Sequence, residues 1–407
     1  MKKALEGIKI VDLSHVLAAP FCTMVLADLG AEVVKVEPPS GDDSRAFGPF
    51  VQEKDRDRKQ SGYFISINRN KRSICVDLKQ DKGKELLREM IRNADVVVEN
   101  YRPNTMRKLG FSYEEMKKLN PSVIYCSICG FGHDALPEYA TKPAYDMVAQ
   151  GFSGLMSITG PLGGPPVRVG SSVGDIVAGH QGAIGILAAL AYREKTGEGQ
   201  HVDISMVDGL VYTLENAVAR YTMNGDIPAP LGSAHPAITP FQSFKGSDGH
   251  WVITPIGNDS LWKKFCIALE REDLIEHPLY ATNPLRTKNR DSLVAILDVE
   301  FLKKTSDEWL ALLEEHGLPN SPLNTIDKVV ADPNINYRNM IVEMDQPHLG
   351  SIKVVGSPFK MSETPGTVRT AAPMLGEHTE SYLKEDLGYT DDQIQELFED
   401  KVVFSDK

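Results

Sequence analysis

The chain is poor in cysteine and tryptophan, with five of the first and three of the second in 407 residues. Cys22, Cys75, Cys126, Cys129 and Cys266 are odd in number and widely spread, which excludes a disulfide framework and suits a reducing compartment. Positive charge is also short. Lys and Arg number 44 against 56 Asp and Glu, a formal net charge of −12. Such a chain repels polyanions, so no nucleic-acid partner is expected. Long hydrophobic runs are missing as well. The longest nearly unbroken one, Gly182 to Tyr192, is far short of a bilayer span and reads as a buried helix, so no membrane partner is expected. Glu6, Lys9 and Asp12 interrupt any signal-peptide apolar region near the start, and a cytoplasmic location is the expectation. No P-loop, G-x-G-x-x-G or H-E-x-x-H pattern occurs. Cys126-Ser-Ile-Cys129 is a lone C-x-x-C without a second pair, so core cysteines are expected there and no metal.

What the chain does contain is a repeated alternation of strand and helix patterns. Ile8 to Leu13, Ala31 to Glu37, Ser73 to Leu78, Asp95 to Asn100 and Ser122 to Ile128 read as strands. Helices are expected over Ala19–Leu29, stopped by Gly30, over Asp81–Asn93 with Leu86, Leu87, Met90 and Ile91 on one face, and over Tyr113–Leu119. This is a doubly wound α/β arrangement on a parallel sheet. Residues 131–174 are rich in glycine and proline and read as loops. A long apolar helix is expected from near Asp175 to Lys195, then a strand at Gly199–Ser205 and a helix over Val207–Asn224. Pro228, Pro230, Pro236 and Pro240 mark a linker. The expected division is a large domain over residues 1–224, a smaller α/β domain over 225–330, and a C-terminal segment, 331–407, that returns to the large domain.

Asp175 is the candidate that decides function. It follows Gly170-Ser-Ser-Val-Gly174, and no Lys or Arg lies within six residues of it. The residues leave two readings open. Asp is a favoured helix N-cap, and a carboxylate in a glycine-rich setting can also be a nucleophile. The same stretch matches G-x-S-x-G, the nucleophile elbow of serine hydrolases, with Ser172 as the reactive group. Basic residues gather at Arg69 to Arg72, Lys79 and Arg102 to Lys108. They read either as a solvated face or as a phosphate site near strand ends, where open α/β sheets take their ligands.

With these residues in place, the chain resembles the class III CoA-transferases of the CaiB/BaiF (formyl-CoA transferase) family over nearly its whole length. The resemblance rests on Leu5-Glu-Gly-Ile-Lys-Ile-Val-Asp-Leu-Ser-His, Gly30-Ala-Glu-Val-Val-Lys-Val-Glu, Asn68-Arg-Asn-Lys-Arg-Ser, Asp95-Val-Val-Val-Glu-Asn-Tyr-Arg-Pro, Tyr145-Asp-Met-Val-Ala-Gln, Gly174-Asp and Pro373-Met-Leu-Gly-Glu-His. It implies a Rossmann-like large domain, a smaller α/β domain and an interlocked, ring-like homodimer. It implies acyl-CoA and small carboxylic acids as substrates, no metal, and Asp175 as the nucleophile. Coenzyme A contacts are implied at Val76, Lys79, Asn100, Tyr101 and Lys108. Pro38 and Pro143 stand where the family carries basic residues, with Arg45, Arg72 and Lys142 as substitutes. The implied acyl pocket holds His15, Leu17, Ala18, Tyr145 and Asp146. Leu17 stands where formyl-CoA:oxalate members carry glutamine, and the pattern is closer to the acetyl-CoA:oxalate type, with acetyl-CoA or formyl-CoA as the donor and oxalate as the acceptor. The family also holds α-methylacyl-CoA racemases with a Gly-His-Asp stretch. The matching place here is Ala144-Tyr145-Asp146, without histidine, and Gly132-His-Asp134 lies some twelve residues earlier.

Overall fold

The computed structural model describes residues 2–52, 54–57 and 60–405. They divide into two compact units. The first takes Met1–Leu155, Val169–Val218 and Pro333–Lys407, and the second Met156–Arg168 and Ala219–Asp332. The stretch Met156–Arg168 thus joins the second unit, although it precedes the apolar helix in sequence.

The first unit is built on six parallel strands: β1 (Lys9–Asp12), β2 (Glu32–Glu37), β3 (Lys71–Val76), β4 (Val96–Glu99), β5 (Ile124–Cys129) and β6 (His201–Ser205). Their spatial order is β3-β2-β1-β4-β5-β6, and the C-terminal strand Val403–Phe404 adds antiparallel to β3. The order reverses between β1 and β4, which places a ligand crevice beyond the carboxyl ends of those two strands. The strands are short apolar runs because both faces are covered. Ile10, Val33, Val96, Val98, Ile124, Cys126 and Ile128 share one core. Val11, Val34, Val36, Ile74, Val76, Val97 and Tyr125 share the other. The two-residue period of the strand makes that division.

The helices of this unit begin with α1 (Ala18–Asp28), α2 (Lys54–Asp57), α3 (Gly62–Asn68) and α4 (Asp81–Arg92). Then come α5 (Thr105–Leu109), α6 (Tyr113–Leu119) and α7 (Asp146–Phe152), and, after the short helix α8 (Leu155–Ile158) whose residues from Met156 on belong to the second unit, α9 (Val173–Thr196) and α10 (Met206–Tyr212). On α4, Leu86, Leu87, Met90 and Ile91 form the buried face. Helices α1 and α9 pack on the opposite side of the sheet. They approach closely because α9 carries Gly179, where a Cβ would stand 2.6 Å from the Ala18 carbonyl oxygen and 3.0 Å from Phe21. The segment after residue 332 closes the unit. The hairpin Ile341–Gln346/Gly350–Val355 packs Met344 and Val354 against Phe64 and Ile65 of α3. The helices Thr379–Glu385 and Asp391–Glu399 add Tyr382, Leu383, Ile394 and Leu397 to the second core.

The second unit has a three-stranded antiparallel sheet of Phe241–Lys245, Trp251–Pro255 and Ser321–Pro322. Its core is aromatic, with Phe244, Trp262, Phe265, Phe301 and Trp309 all buried. Arg286 is fully buried beside them, 4.8 Å above the Trp262 ring and paired to Asp259 at 2.6 Å.

Two expectations about elements fail. Residues 131–174 are not all loop, since α7 and α8 fold there. The helix expected over Val207–Asn224 is two, α10 and Glu215–Asn224, with a break at Thr213 and Leu214.

Candidate active site

Asp175 is not a helix cap. Helix α9 starts two residues earlier than the sequence suggests, so Ser172 is the N-cap residue and Asp175 is the third helical residue. Ser172 makes no capping hydrogen bond. The open amide of Gly174 donates instead to Asp146 Oδ1 of α7 at 2.8 Å. The other oxygen of Asp146 accepts from Gln150 Nε2 at 2.7 Å, and Gln150 Oε1 accepts the Val169 amide at 2.9 Å. Asp146 and Gln150 are both buried. Asp146 therefore completes the start of α9 from a neighbouring helix, and the half-buried Asp175 carboxylate keeps its own oxygens free of hydrogen bonds and ion pairs among the described residues. Burial, and then the nearby Asp146 charge, push Asp175 up to about 7. A carboxylate so poorly solvated is a stronger nucleophile than one tied in an ion pair, and perturbed acids of this kind gather at functional sites.

Tyr63 is the functional candidate that sequence reasoning missed. It sits in α3, a seven-residue helix capped by Ser61. Its ring packs edge-on against Phe47, at 5.7 Å between centroids, and beside Leu17, Met24 and Ile67. Burial and the charges of Asp175, Asp42 and Asp146 push its phenol up to about 12, so it stays a hydrogen-bond donor at neutral pH. The only signal in the sequence was a serine followed by a short apolar stretch before Asn68-Arg69.

The loop between β1 and α1 forms the next wall. Asn100, just beyond β4, holds His15 from both sides: the His15 amide donates to Asn100 Oδ1 at 2.8 Å, and Asn100 Nδ2 donates to the His15 carbonyl at 2.7 Å. The Tyr101 ring lies 5.4 Å from the His15 ring. Burial lowers the His15 pKa, and its Nδ1 is buried without a hydrogen-bond partner among the described residues. Burial likewise pushes Tyr101 up to about 12. Val16 is held at φ +64°, which a β-branched residue rarely adopts. Its amide is fixed by Asp42 Oδ1 at 3.1 Å. Asp42 pairs with the fully buried Lys35 at 2.9 Å, and Lys35 Nζ donates to the Ser14 carbonyl at 2.6 Å. Beneath them Lys71 pairs with Asp12 at 3.1 Å, and Asp12 also accepts from Ser14 and Thr23. Burial opposes the charge on Lys35, yet Asp42 and Asp12 outweigh it and hold its pKa above the ordinary value. For Lys71 burial wins and the pKa falls to about 8.

The structure thus brings His15, Leu17, Ala18, Asn100 and Tyr101 to the crevice between β1 and β4. Leu17 and Ala18 are buried there, and Tyr145 is 76% exposed. Two substitutes for the nucleotide end are already engaged. Arg45 is buried, bonded to Glu37 through Nε and Nη2 at 2.7 Å each, and stacked 3.7 Å over Phe64. Its guanidinium has no fork left for a phosphate. Arg72 makes two bonds to Asp386, at 2.7 and 2.9 Å. Lys79, Lys108 and Lys142 stay exposed, Lys142 with its Nζ 4.1 Å from the Tyr139 ring centroid. Val76 is a buried strand residue, so only its backbone can meet a ligand. The serine-hydrolase pattern fails on context: residues 165–172 form no strand, and an elbow needs one before its serine. Cys126 and Cys129 are buried and free.

The family model for CoA-transferase family III matches residues 5–379. The chain belongs to this family. It is 40% identical over 408 residues to the human succinyl-CoA:glutarate CoA-transferase, covering 98% of this chain and 90% of that one. It is 39% identical over 392 residues to the acetyl-CoA:oxalate CoA-transferase of Acetobacter aceti, covering 94% and 96%. A CaiB/BaiF family protein from Brucella suis has the same fold, with a TM-score of 0.82 at 36% identity over 95% of this chain and 100% of that one. The protein is an enzyme, a family III CoA-transferase.

Proposed function

We propose that the enzyme moves coenzyme A between two small dicarboxylic acids, with Asp175 as the covalent carrier. The observation that carries this reading is the Asp175 carboxylate itself, set in the first turn of α9, half-buried and bound to no cation among the described residues. An Asp175 oxygen attacks the thioester carbon of the donor. The C–S bond breaks, CoA leaves as thiolate, and a mixed anhydride joins Asp175 to the acyl group. The thiolate then attacks the Asp175 carbonyl carbon, which releases the donor acid and leaves an aspartyl-CoA thioester. The acceptor carboxylate attacks that carbon and expels the thiolate again. The thiolate finally attacks the acceptor's carbonyl in the new anhydride, which yields the new acyl-CoA and restores Asp175. Each step exchanges one activated acyl bond for another. Water must stay out, because the anhydride would hydrolyse.

The choice of a dicarboxylate acceptor is supported by the human and Acetobacter aceti relatives, whose names pair succinyl-CoA with glutarate and acetyl-CoA with oxalate, and the choice of a dicarboxylate donor by the human one. Succinyl-CoA is the donor we favour, with oxalate and glutarate as the first acceptors to try. Asn100, Tyr101, Lys79 and Lys108 are the proposed CoA contacts, and His15, Leu17 and Tyr63 the proposed acyl pocket. A homodimer is part of the reading. Met147, Val148 and Phe152 on α7, Ile184 and Tyr192 on α9 and Tyr212 on α10 are large apolar side chains left exposed, and burial against a second copy would remove them from water.

The test is the Asp175→Ala chain, given succinyl-CoA with a panel of acids and read by mass spectrometry of the CoA products. Transfer should vanish. In the wild-type chain, donor alone should leave a CoA adduct on Asp175. Transfer that survives the substitution refutes the carrier role.

A further inference from the structure

Glu99 is a buried carboxylate at the crevice whose contacts the transfer chemistry leaves unused. It ends β4 and is 1% exposed. Its Oε1 accepts the Tyr125 hydroxyl at 2.7 Å, and its Oε2 accepts the Tyr101 amide at 2.6 Å. It makes no ion pair with Lys or Arg among the described residues. Among the described residues the basic group beside it is His133 Nε2, 3.6 Å from Oε1, and that nitrogen is buried without a hydrogen bond to any of them. His133 is held in place by its own amide, which donates to both oxygens of Asp203 at 2.9 and 2.8 Å.

The groups around Glu99 come from four elements. Tyr101 follows β4. Tyr125, Cys126 and Cys129 belong to β5. His133 lies on the loop after β5, and Asp203 and His201 belong to β6. His201 stacks on Tyr125 at 4.9 Å and meets Ser127 Oγ at 2.8 Å. Burial raises the Glu99 pKa to about 7, with Asp203 adding to the rise and the bonds from Tyr125 and Tyr101 opposing it. Burial lowers the pKa of both histidines, while Asp203 opposes the fall.

We propose that Glu99 is a positioning residue that sets the turn Asn100–Tyr101, and through Asn100 the His15 loop, in its CoA-binding shape, and that proton uptake on Glu99 relaxes this turn. The inference rests on the reading of Asn100 and Tyr101 as CoA contacts. The ionised carboxylate grips the Tyr101 amide through a charge-assisted bond, which is stronger than the bond to a neutral acid. When a proton arrives on Oε1, the oxygen 3.6 Å from His133 Nε2, the carboxylate loses its charge. The Tyr125 hydroxyl then faces a weaker acceptor, and the Tyr101 amide is held less firmly. CoA binding should therefore weaken as pH falls.

The experiment is calorimetric titration of free CoA into the full chain at pH 6, 7 and 8, for wild type, Glu99→Gln and Tyr125→Phe, with far-UV circular dichroism to check the fold. The wild-type Kd should rise roughly three- to tenfold from pH 8 to pH 6, the range set by the loss of one charge-assisted bond. Glu99→Gln copies the protonated acid. It should bind weakly at every pH, with the wild-type rise removed. Tyr125→Phe removes a bond that favours the ionised form, so its midpoint should move to higher pH. A purely structural role would not move a midpoint. A wild-type pH slope that persists in Glu99→Gln, or an unmoved midpoint in Tyr125→Phe, overturns the positioning role. A wild-type chain that binds no CoA overturns the reading of Asn100 and Tyr101 as CoA contacts, and this inference with it.

Discussion

Asp175→Asn should stabilise the protein while abolishing transfer, and the stabilisation should grow with pH. Burial and the Asp146 charge raise the folded pKa of Asp175 from 3.8 to about 7. An acid whose folded pKa lies above its unfolded one draws a proton into the folded state. Its stabilising contribution is full below the unfolded value, declines as pH rises from about 4, and levels off above about 7. The full shift corresponds to about 4 kcal/mol at pH 8. The carboxylate is only half-buried, and solvent screening reduces this to about 2 kcal/mol. Asparagine keeps the shape and never ionises. Urea unfolding of the two chains, followed by circular dichroism at pH 5 and pH 8, measures the difference. The variant should lead by a little under about 1 kcal/mol at pH 5, where the unfolded chain is already largely ionised, and by about 2 kcal/mol at pH 8. An advantage equal at both values, or a variant weaker at pH 8, would refute the burial argument. The same titration governs rate. Roughly a tenth of Asp175 is ionised at pH 6 and nine-tenths at pH 8, so single-turnover transfer should rise about tenfold across that interval.

Other outcomes follow from the same contacts. Lys35→Met leaves Asp42 buried without its cation and should cost about 3–5 kcal/mol, read by thermal melting. Arg72→Ala removes a partly exposed pair and should cost under about 1 kcal/mol, with CoA affinity unchanged, because the guanidinium is already engaged by Asp386. Gly179→Ala places a methyl 2.6 Å from the Ala18 carbonyl oxygen, so α1 and α9 must part, with a loss of about 1–3 kcal/mol and a fall in kcat as the Asp175 turn shifts from the His15 loop. Tyr63→Phe should lower kcat with little change in stability, since the hydroxyl holds no partner among the described residues.

The parallel sheet was legible because a strand covered on both faces is written as an apolar run, and Val33, Val34, Val96, Val97 and Val98 are such runs. Helix α4 was legible from its four-residue apolar face. Helix α7 was not, because its seven residues include Gly151 and leave Met147, Val148 and Phe152 exposed, so no buried period marks it. Missing α7 hid the origin of the cap on α9, which Asp146 supplies from 28 residues away. That is why Asp175 could be read as a cap at all. Arg45 looked like a free cation because its partner, Glu37, ends a strand, and only the fold turns the two side chains toward each other. The clearest unread signal was Lys35. A lysine inside Val33-Val-Lys-Val-Glu37, on a strand buried on both sides, had to find an anion within the protein.

The buried charges beneath the crevice have a consequence for turnover. Asp12, Glu37 and Asp42 face Lys35, Lys71 and Arg45, three anions against three cations, each held by further hydrogen bonds. Water around a reacting thioester would swing its dipoles to follow the charge from carboxylate to thiolate and back, and that motion is slow work against the barrier. A locked ionic lattice does not swing. It offers the same field before and after each step, so the charge can move across the pocket while the floor beneath it stands still.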